Sequence, residues 1–286
     1  MTTTQFIPFS LRLPRRLLEI GRPQVMAILN ATPDSFYAAS RAEGAEAIAE
    51  RAARLIADGA DMIDVGAYSS RPGAAEVTEE EETERLLTAC RAVRSVAPDI
   101  PLSVDTFRAE AARIAVEDGG ADIVNDITGG EDPGMLPTVA RLGVPYIAMH
   151  MRGTPATMQT LTRYPDDDPT GEIISRLSDV IERCSLLGIA DVIADPGLGF
   201  AKTLEQNYRV LRHIPLIAEA LGRPILIGLS RKSMLTKALG IAPEDALAAT
   251  VTADTIALMG GASIIRVHDP KEASQSIRLL ELLKNS

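Results

Sequence analysis

The chain of 286 residues has only two cysteines, Cys90 and Cys184. They lie far apart on helical patterns, without metal-ligand spacing. This excludes a disulfide framework and a zinc site, and it fits buried thiols in a reducing compartment. A long basic run is also missing. With a formal net charge of −10, nothing can track a phosphodiester backbone, so nucleic acid is excluded and local cations are expected to serve a small anion. No stretch is long and apolar enough to span a bilayer, and the opening "MTTTQFIPFSLRLPRR" lacks a continuous apolar h-region. A cytoplasmic protein that does not engage membrane is therefore expected. What is present is ample apolar sequence, 46% of residues, enough for one large core and, by default, one domain.

Short β-branched or aliphatic runs alternate eight times with longer amphipathic segments. The runs are 24–30, 62–67, 101–106, 122–127, 145–151, 191–197, 224–230 and 263–269. Helical patterns follow at 41–58, 79–96, 107–118, 134–142, 171–187, 204–220, 231–239 with 244–259, and 270–284. Glycines just before several strands act as helix stops. Eight βα units without a linker predict a single α/β (β/α)8 TIM barrel over 24–286. A doubly wound open sheet is the alternative. Residues 1–23 form an N-terminal extension expected to pack on the barrel or close its lower end.

Polar residues gather at the strand ends: Asn30, Asp64, Asp105, Asn125 with Asp126, His150, Asp195, Ser230 to Lys232, and Arg266 with His268. A barrel collects these ends on one face, where barrel active sites are built. Turn chemistry explains some of them singly. It does not explain Arg266 between Ile265 and Val267, or Asp105 after Val104.

In "ILNATPDSF", the Asn30 amide oxygen suits a hard cation such as Mg²⁺, and ordinary turn chemistry is the competing explanation. In "DPGLGFAKT", the spacing of Gly197, Gly199, Lys202 and Thr203 resembles a phosphate loop. Ala201 stands where a Walker motif needs glycine, so nucleoside triphosphate is rejected. The glycines instead allow a tight turn that leaves Asp195 at the barrel mouth. Asp105 and Asp195 need donors, because a buried carboxylate is costly without them. They can pair with Lys232 and Arg266, or they can receive a ligand rich in N–H groups. "SRKS" and "RVH" end strands seven and eight, a frequent phosphate-binding region of barrels. There Arg266 offers a planar fork, His268 a further donor and Ser233 a helix start.

The motifs "ILNATPDSF", "DVGAYSSRPGA", "SVDTFRAEAARIAVEDGGADIVNDITGG", "MHMRGTP", "DPGLGFAKT", "GLSRKSML" and "RVHDP", in this order, resemble those of the dihydropteroate synthases. The resemblance covers nearly the whole chain from about residue 24. It implies a transferase of folate biosynthesis that condenses 6-hydroxymethyl-7,8-dihydropterin diphosphate with 4-aminobenzoate, yielding 7,8-dihydropteroate and pyrophosphate. It further implies Mg²⁺ and a homodimer. By the same resemblance Asp105, Asn125, Met149, Asp195, Gly228 and Lys232 bind pterin. Asn30, Ser70, Arg266 and His268 hold diphosphate, with Asn30 also at the metal. Phe36, Arg71, Pro72, Ser230, Lys232 and Ser233 form the aminobenzoate pocket. The implied catalytic set is Asp105, Asp195, Lys232, Arg266 and His268. Loops 31–40 and 67–78 would close over the reacting centre.

The chain departs from the usual pattern in two loops. Ala67-Tyr68-Ser69-Ser70 replaces Gly-Glu-Ser-Thr, and Tyr37-Ala38-Ala39-Ser40 replaces Ser-Asp-Gly-Gly. Ser70 keeps a hydroxyl, and Phe36 and Pro72 retain the pocket of sulfonamide-sensitive relatives, so sulfonamide inhibition is expected. The alternatives are a methyltetrahydrofolate-dependent corrinoid methyltransferase, which leaves Arg266, His268 and SRKS unused, and a silent pterin-binding protein. A barrel aldolase using Lys232 as a Schiff base comes from another class.

Overall fold

The computed structural model describes residues 6–31, 41–68, 77–154 and 157–284. Its barrel strands are β3 (Gln24–Asn30), β4 (Met62–Gly66), β5 (Leu102–Asp105), β6 (Ile123–Asp126), β7 (Tyr146–Met149), β8 (Val192–Asp195), β9 (Leu226–Ile227) and β10 (Ile264–Val267). All are parallel, in the order β8-β7-β6-β5-β4-β3-β10-β9. A parallel bridge between Ala194 and Ile225 joins the two ends. This closes the sheet into the expected TIM barrel.

The helices are α1 (Arg41–Ala57), α2 (Glu79–Val96), α3 (Ala109–Glu117), α4 (Met135–Leu142), α5 (Thr170–Leu186), α6 (Leu204–Arg212), α7 (Ile214–Leu221), α8 (Ser233–Leu239), α9 (Leu247–Met259) and α10 (Pro270–Lys284). The pattern at 204–220 predicts one helix, and the chain forms two. They meet at His213, with Pro215 in the first turn of α7. A proline there has no N–H to continue the α6 ladder. The run 224–230 pairs over only two residues in β9. Its remaining residues lead into the turn that carries Ser230 to Lys232.

Strand periodicity sets the barrel in layers. Met26, Met62, Ile123, Ile147, Ile193, Leu226 and Ile264 form one buried interior cluster. Their sequence neighbours Ala27, Ile63, Val124, Ala194 and Ile227 belong to the core shared with the outer helices. Two residues after the interior set come Ile28, Asp64, Asn125, Met149, Asp195, Gly228 and Arg266. The polar layer therefore lies directly above an apolar floor.

Below the floor, β1 (Phe9–Leu13) and β2 (Arg16–Ile20) form an antiparallel hairpin pairing Phe9 with Ile20 and Leu13 with Arg16. Leu11, Leu13 and Ile20 join the interior cluster, each 4% exposed or less. Burying such a side chain is worth about 1.5–3 kcal/mol, so the hairpin is a substantial lower seal. The Asp191 carboxylate accepts from Arg12 N–H at 2.6 Å, fastening it to the start of β8. Among the described residues, no helix is long and apolar enough to cross a membrane.

Candidate active site

Arg266 organises the mouth. Its Nε donates to Asp64 Oδ2 and its Nη2 to Asp105 Oδ2, both at 2.6 Å. Asp64 Oδ2 also accepts from Asn125 Nδ2 at 3.1 Å. Asp64 on β4 thus fixes side chains from β10 and β6, while its other oxygen is buried without a hydrogen-bond partner among the described residues. Asp64 is among the strand-end residues of the sequence but outside the expected site set; like Asp195, it stands two residues after a floor side chain. Register pairs Asp105 with Asn125 across β5 and β6.

Burial pushes the Asp105 carboxyl up to about 7; Arg266 opposes the shift and Asp64 adds to it. Burial alone would lower Arg266, but Asp64 and Asp105 hold it above its ordinary value, so it stays charged.

Asp195 is only 8% exposed. Its Oδ1 accepts from Gly197 N–H at 2.7 Å. Burial raises its pKa against the pull of Lys232. Gly197 sits at φ 68°, and a Cβ there would collide with the His150 carbonyl oxygen and touch Met149. Only glycine lets the chain turn here. Met149, buried, lies beside this turn, and Gly228 leaves space next to Lys232 Nζ and Arg266.

Among the described residues, Lys232 bonds directly to no carboxylate. Its Nζ donates to Leu198 O at 2.5 Å and lies 4.7 Å from the Phe200 ring centroid. Burial lowers it to about 8, opposed by Asp195. Arg231 points away: at φ 56° it makes a bidentate pair with Asp269, both contacts at 2.9 Å. This left-handed residue lets the turn send neighbouring cations in opposite directions. The Ser230 hydroxyl is taken up by His268, 3.2 Å from its N–H and 2.9 Å from Nδ1. Ser233 is exposed at the start of α8.

Asn30 ends β3 exposed, and Gly66 leaves its Oδ1 open beside the Asp105 carboxylate, where a Cβ would contact both. Among the described residues no group of three or more His, Cys, Asp or Glu side chains could hold a metal ion. One amide oxygen suits a cation carried largely by phosphate oxygens and water. Phe36, Ser70, Arg71 and Pro72, with most of loops 31–40 and 67–78, lie outside the described residues.

A second buried cluster adjoins the site. Lys202 Nζ donates to Gly197 O, Phe200 O and His150 Nδ1. The phosphate-loop comparison set Lys202 aside, and nothing in its spacing announces these contacts. The Gly197 O and Phe200 O bonds show that "GLGFAK" is a turn wrapped around its own lysine.

The pterin binding enzyme model matches residues 26–268. The chain belongs to the pterin-binding enzymes, among the dihydropteroate synthases. It is 40% identical over 266 residues to dihydropteroate synthase of Escherichia coli strain K12, covering 92% of this chain and 93% of that one. The mitochondrial folate synthesis bifunctional protein of Arabidopsis thaliana is 39% identical over 94% of this chain, which spans 52% of that longer protein. The Yersinia pestis dihydropteroate synthase, solved with a sulfonamide drug, superposes with a TM-score of 0.88. It is 38% identical, covering 97% of this chain and 100% of that one. The outlying residues of the dihydropteroate synthase resemblance, Asn30 and His268, both fall at strand ends of this barrel.

Proposed function

We propose that the barrel mouth condenses 6-hydroxymethyl-7,8-dihydropterin diphosphate with 4-aminobenzoate, giving 7,8-dihydropteroate and pyrophosphate. One observation carries the reading: Asp105, Asp195 and Asn125 share an apolar-floored mouth with two cations, Arg266 and Lys232. A dihydropterin presents N–H donors along one edge and acceptors along another, which suits this alternation of carboxylates, amide and ammonium.

Asp105, Asn125 and Asp195 take the pterin edge, and Lys232 donates to its acceptors. Met149 and Gly228 bound the ring. Arg266 and His268 face the diphosphate. The C–O bond to the diphosphate breaks first, and pyrophosphate leaves with the electron pair. Buried carboxylates at the mouth stabilise the resulting methylene-pterin cation. The amine of 4-aminobenzoate then attacks and loses a proton, while Ser233 and Lys232 receive its carboxylate. No protein nucleophile is required. When bound, Mg²⁺ supplies positive charge to the leaving diphosphate, and Asn30 is the residue that would hold it.

The same reading makes this a cytoplasmic homodimer. Cys90 and Cys184 are free and buried, which fits a reducing compartment. Ile256 of α9, with Leu279 and Leu282 of α10, offers exposed apolar surface to a second copy.

The experiment is incubation of the purified chain with Mg²⁺ and both substrates. Dihydropteroate formation that requires 4-aminobenzoate supports the reading. Methyl transfer from methyltetrahydrofolate to a corrinoid acceptor, without condensation, would replace it.

A further inference from the structure

Lys202 has no part in the reaction as derived, yet it is only 4% exposed. Burying an ammonium is costly unless every proton finds an acceptor. Here each does: Gly197 O at 2.8 Å, Phe200 O at 3.0 Å and His150 Nδ1 at 3.2 Å. His150 Nδ1 acts as acceptor to a charged lysine, so its proton sits on Nε2, which is buried with no hydrogen-bond partner among the described residues, Glu172 Oε1 lying 3.6 Å away. Glu172 is paired with Arg152, whose guanidinium stacks 3.9 Å from the Tyr164 ring centroid. The Tyr164 hydroxyl returns to the same loop, donating to Ala201 O at 3.0 Å.

The loop held by the Lys202 and Tyr164 hydrogen bonds carries three features of the pterin slot. Gly197 N–H fixes Asp195, Leu198 O receives Lys232 Nζ, and the Phe200 ring lies beneath that ammonium. A lysine between the Gly197 and Phe200 carbonyls therefore sets where Asp195 and Lys232 stand, without itself reaching the mouth.

We propose that Lys202 is a positioning residue of the condensation: its ammonium clamps the 197–200 turn so that Asp195 and Lys232 meet the pterin together. The inference rests on the pterin reading of this mouth.

Burial lowers Lys202 to about 7, with Asp195 opposing and Lys232 reinforcing the shift. The charged groups around it are Asp195 at the end of β8, Lys232 after β9, Glu172 on α5 and Arg152 after β7. Arg176 on α5 acts on His150, which burial and these cations hold down to about 2. His150 is thus neutral at any working pH, and the ammonium clamp weakens as pH rises through about 7.

The test is titration of wild type, Lys202→Met and Lys202→Gln with 6-hydroxymethyl-7,8-dihydropterin diphosphate from pH 6 to 9, beside steady-state kinetics. Lys202→Met should bind about tenfold or more weakly, the loss expected when charge-assisted hydrogen bonds vanish. Its KM for the pterin should rise more than kcat falls. Asp105 also titrates near 7, so the Lys202 contribution is read as the difference in affinity between wild type and variant, which should be largest at pH 6 and shrink as pH rises through about 7. Should Lys202→Met fail to fold, Lys202→Gln alone decides, because it keeps donors without the charge. A folded variant that binds the pterin as tightly as wild type at pH 6 overturns the inference alone. A wild type that binds no pterin overturns the site reading and this inference with it.

Discussion

Arg266 reaches across the barrel mouth to Asp105, its Nη2 resting 2.6 Å from Oδ2. The same guanidinium holds Asp64, whose side chain is completely buried. Arg266→Ala should therefore do two kinds of damage. The turnover rate should fall by about 100-fold or more, as when a preorganised donor to developing charge is removed. Stability should fall by about 2–4 kcal/mol, toward the low side for a broken buried pair, because Arg266 is partly exposed. Urea melts and kcat on the same preparation separate the two. Asp64→Asn should weaken pterin binding through Arg266 and Asn125, although Asp64 is not expected to touch the substrate.

Gly197→Ala should be more severe than its size suggests. At φ 68° the new methyl meets the His150 carbonyl, and the left-handed conformation alone costs about 1–2 kcal/mol. The expected outcome is a fall in Tm together with loss of pterin binding, read by calorimetry and titration. Gly222→Ala, also left-handed at φ 57° but with open space at its Cβ, should bear only the conformational cost.

Asp254 on α9 is 1% exposed, and its Oδ1 has no hydrogen-bond partner among the described residues. Burial, helped by Asp269, raises its pKa to about 8. The folded state therefore binds the proton more tightly than the unfolded state, whose value is near 3.8. This contribution to stability is complete below pH 4 and is lost as pH rises toward 8. Asp254→Asn should melt a few degrees higher than wild type at pH 8 and flatten that part of the pH–Tm curve. Equal slopes would count against the assignment.

A sulfonamide should slow the condensation, and added 4-aminobenzoate should restore it. The check is a set of initial rates at fixed pterin with both aromatic compounds varied. An undiminished rate at sulfonamide well above 4-aminobenzoate would show that the 37–40 and 67–70 substitutions have altered the pocket.

The barrel was legible in sequence because five of its eight strands repeat one arrangement. An apolar residue faces the floor, and two positions later a polar or small residue faces the mouth, as in "MID", "IVN", "IAD", "LIG" and "IIR". Asp105, Asn125, Asp195, Lys232 and Arg266 could be found from those positions and from the motifs. Asp64 was gathered with the strand-end residues but given no role, because a strand-end aspartate carries no mark of its partner, and its role depends on Arg266 about 200 positions away. Lys202 was hidden for another reason. A buried lysine is recognised by its acceptors, and two of them are carbonyl oxygens that any residue supplies. The break at His213 and the short β9 were local effects, from Pro215 and the Ser230–Lys232 turn, that apolar periodicity does not register.

Departure of pyrophosphate and capture by the arylamine are expected to be coupled at the mouth through Arg266. The most direct measurement is simultaneous quantification of pyrophosphate and dihydropteroate from the purified chain, with Arg266→Ala beside it. The account predicts equal amounts of both products, dependence on both substrates, and collapse of both in the variant. Intact pterin binding with no turnover, or a variant as active as wild type, would contradict it.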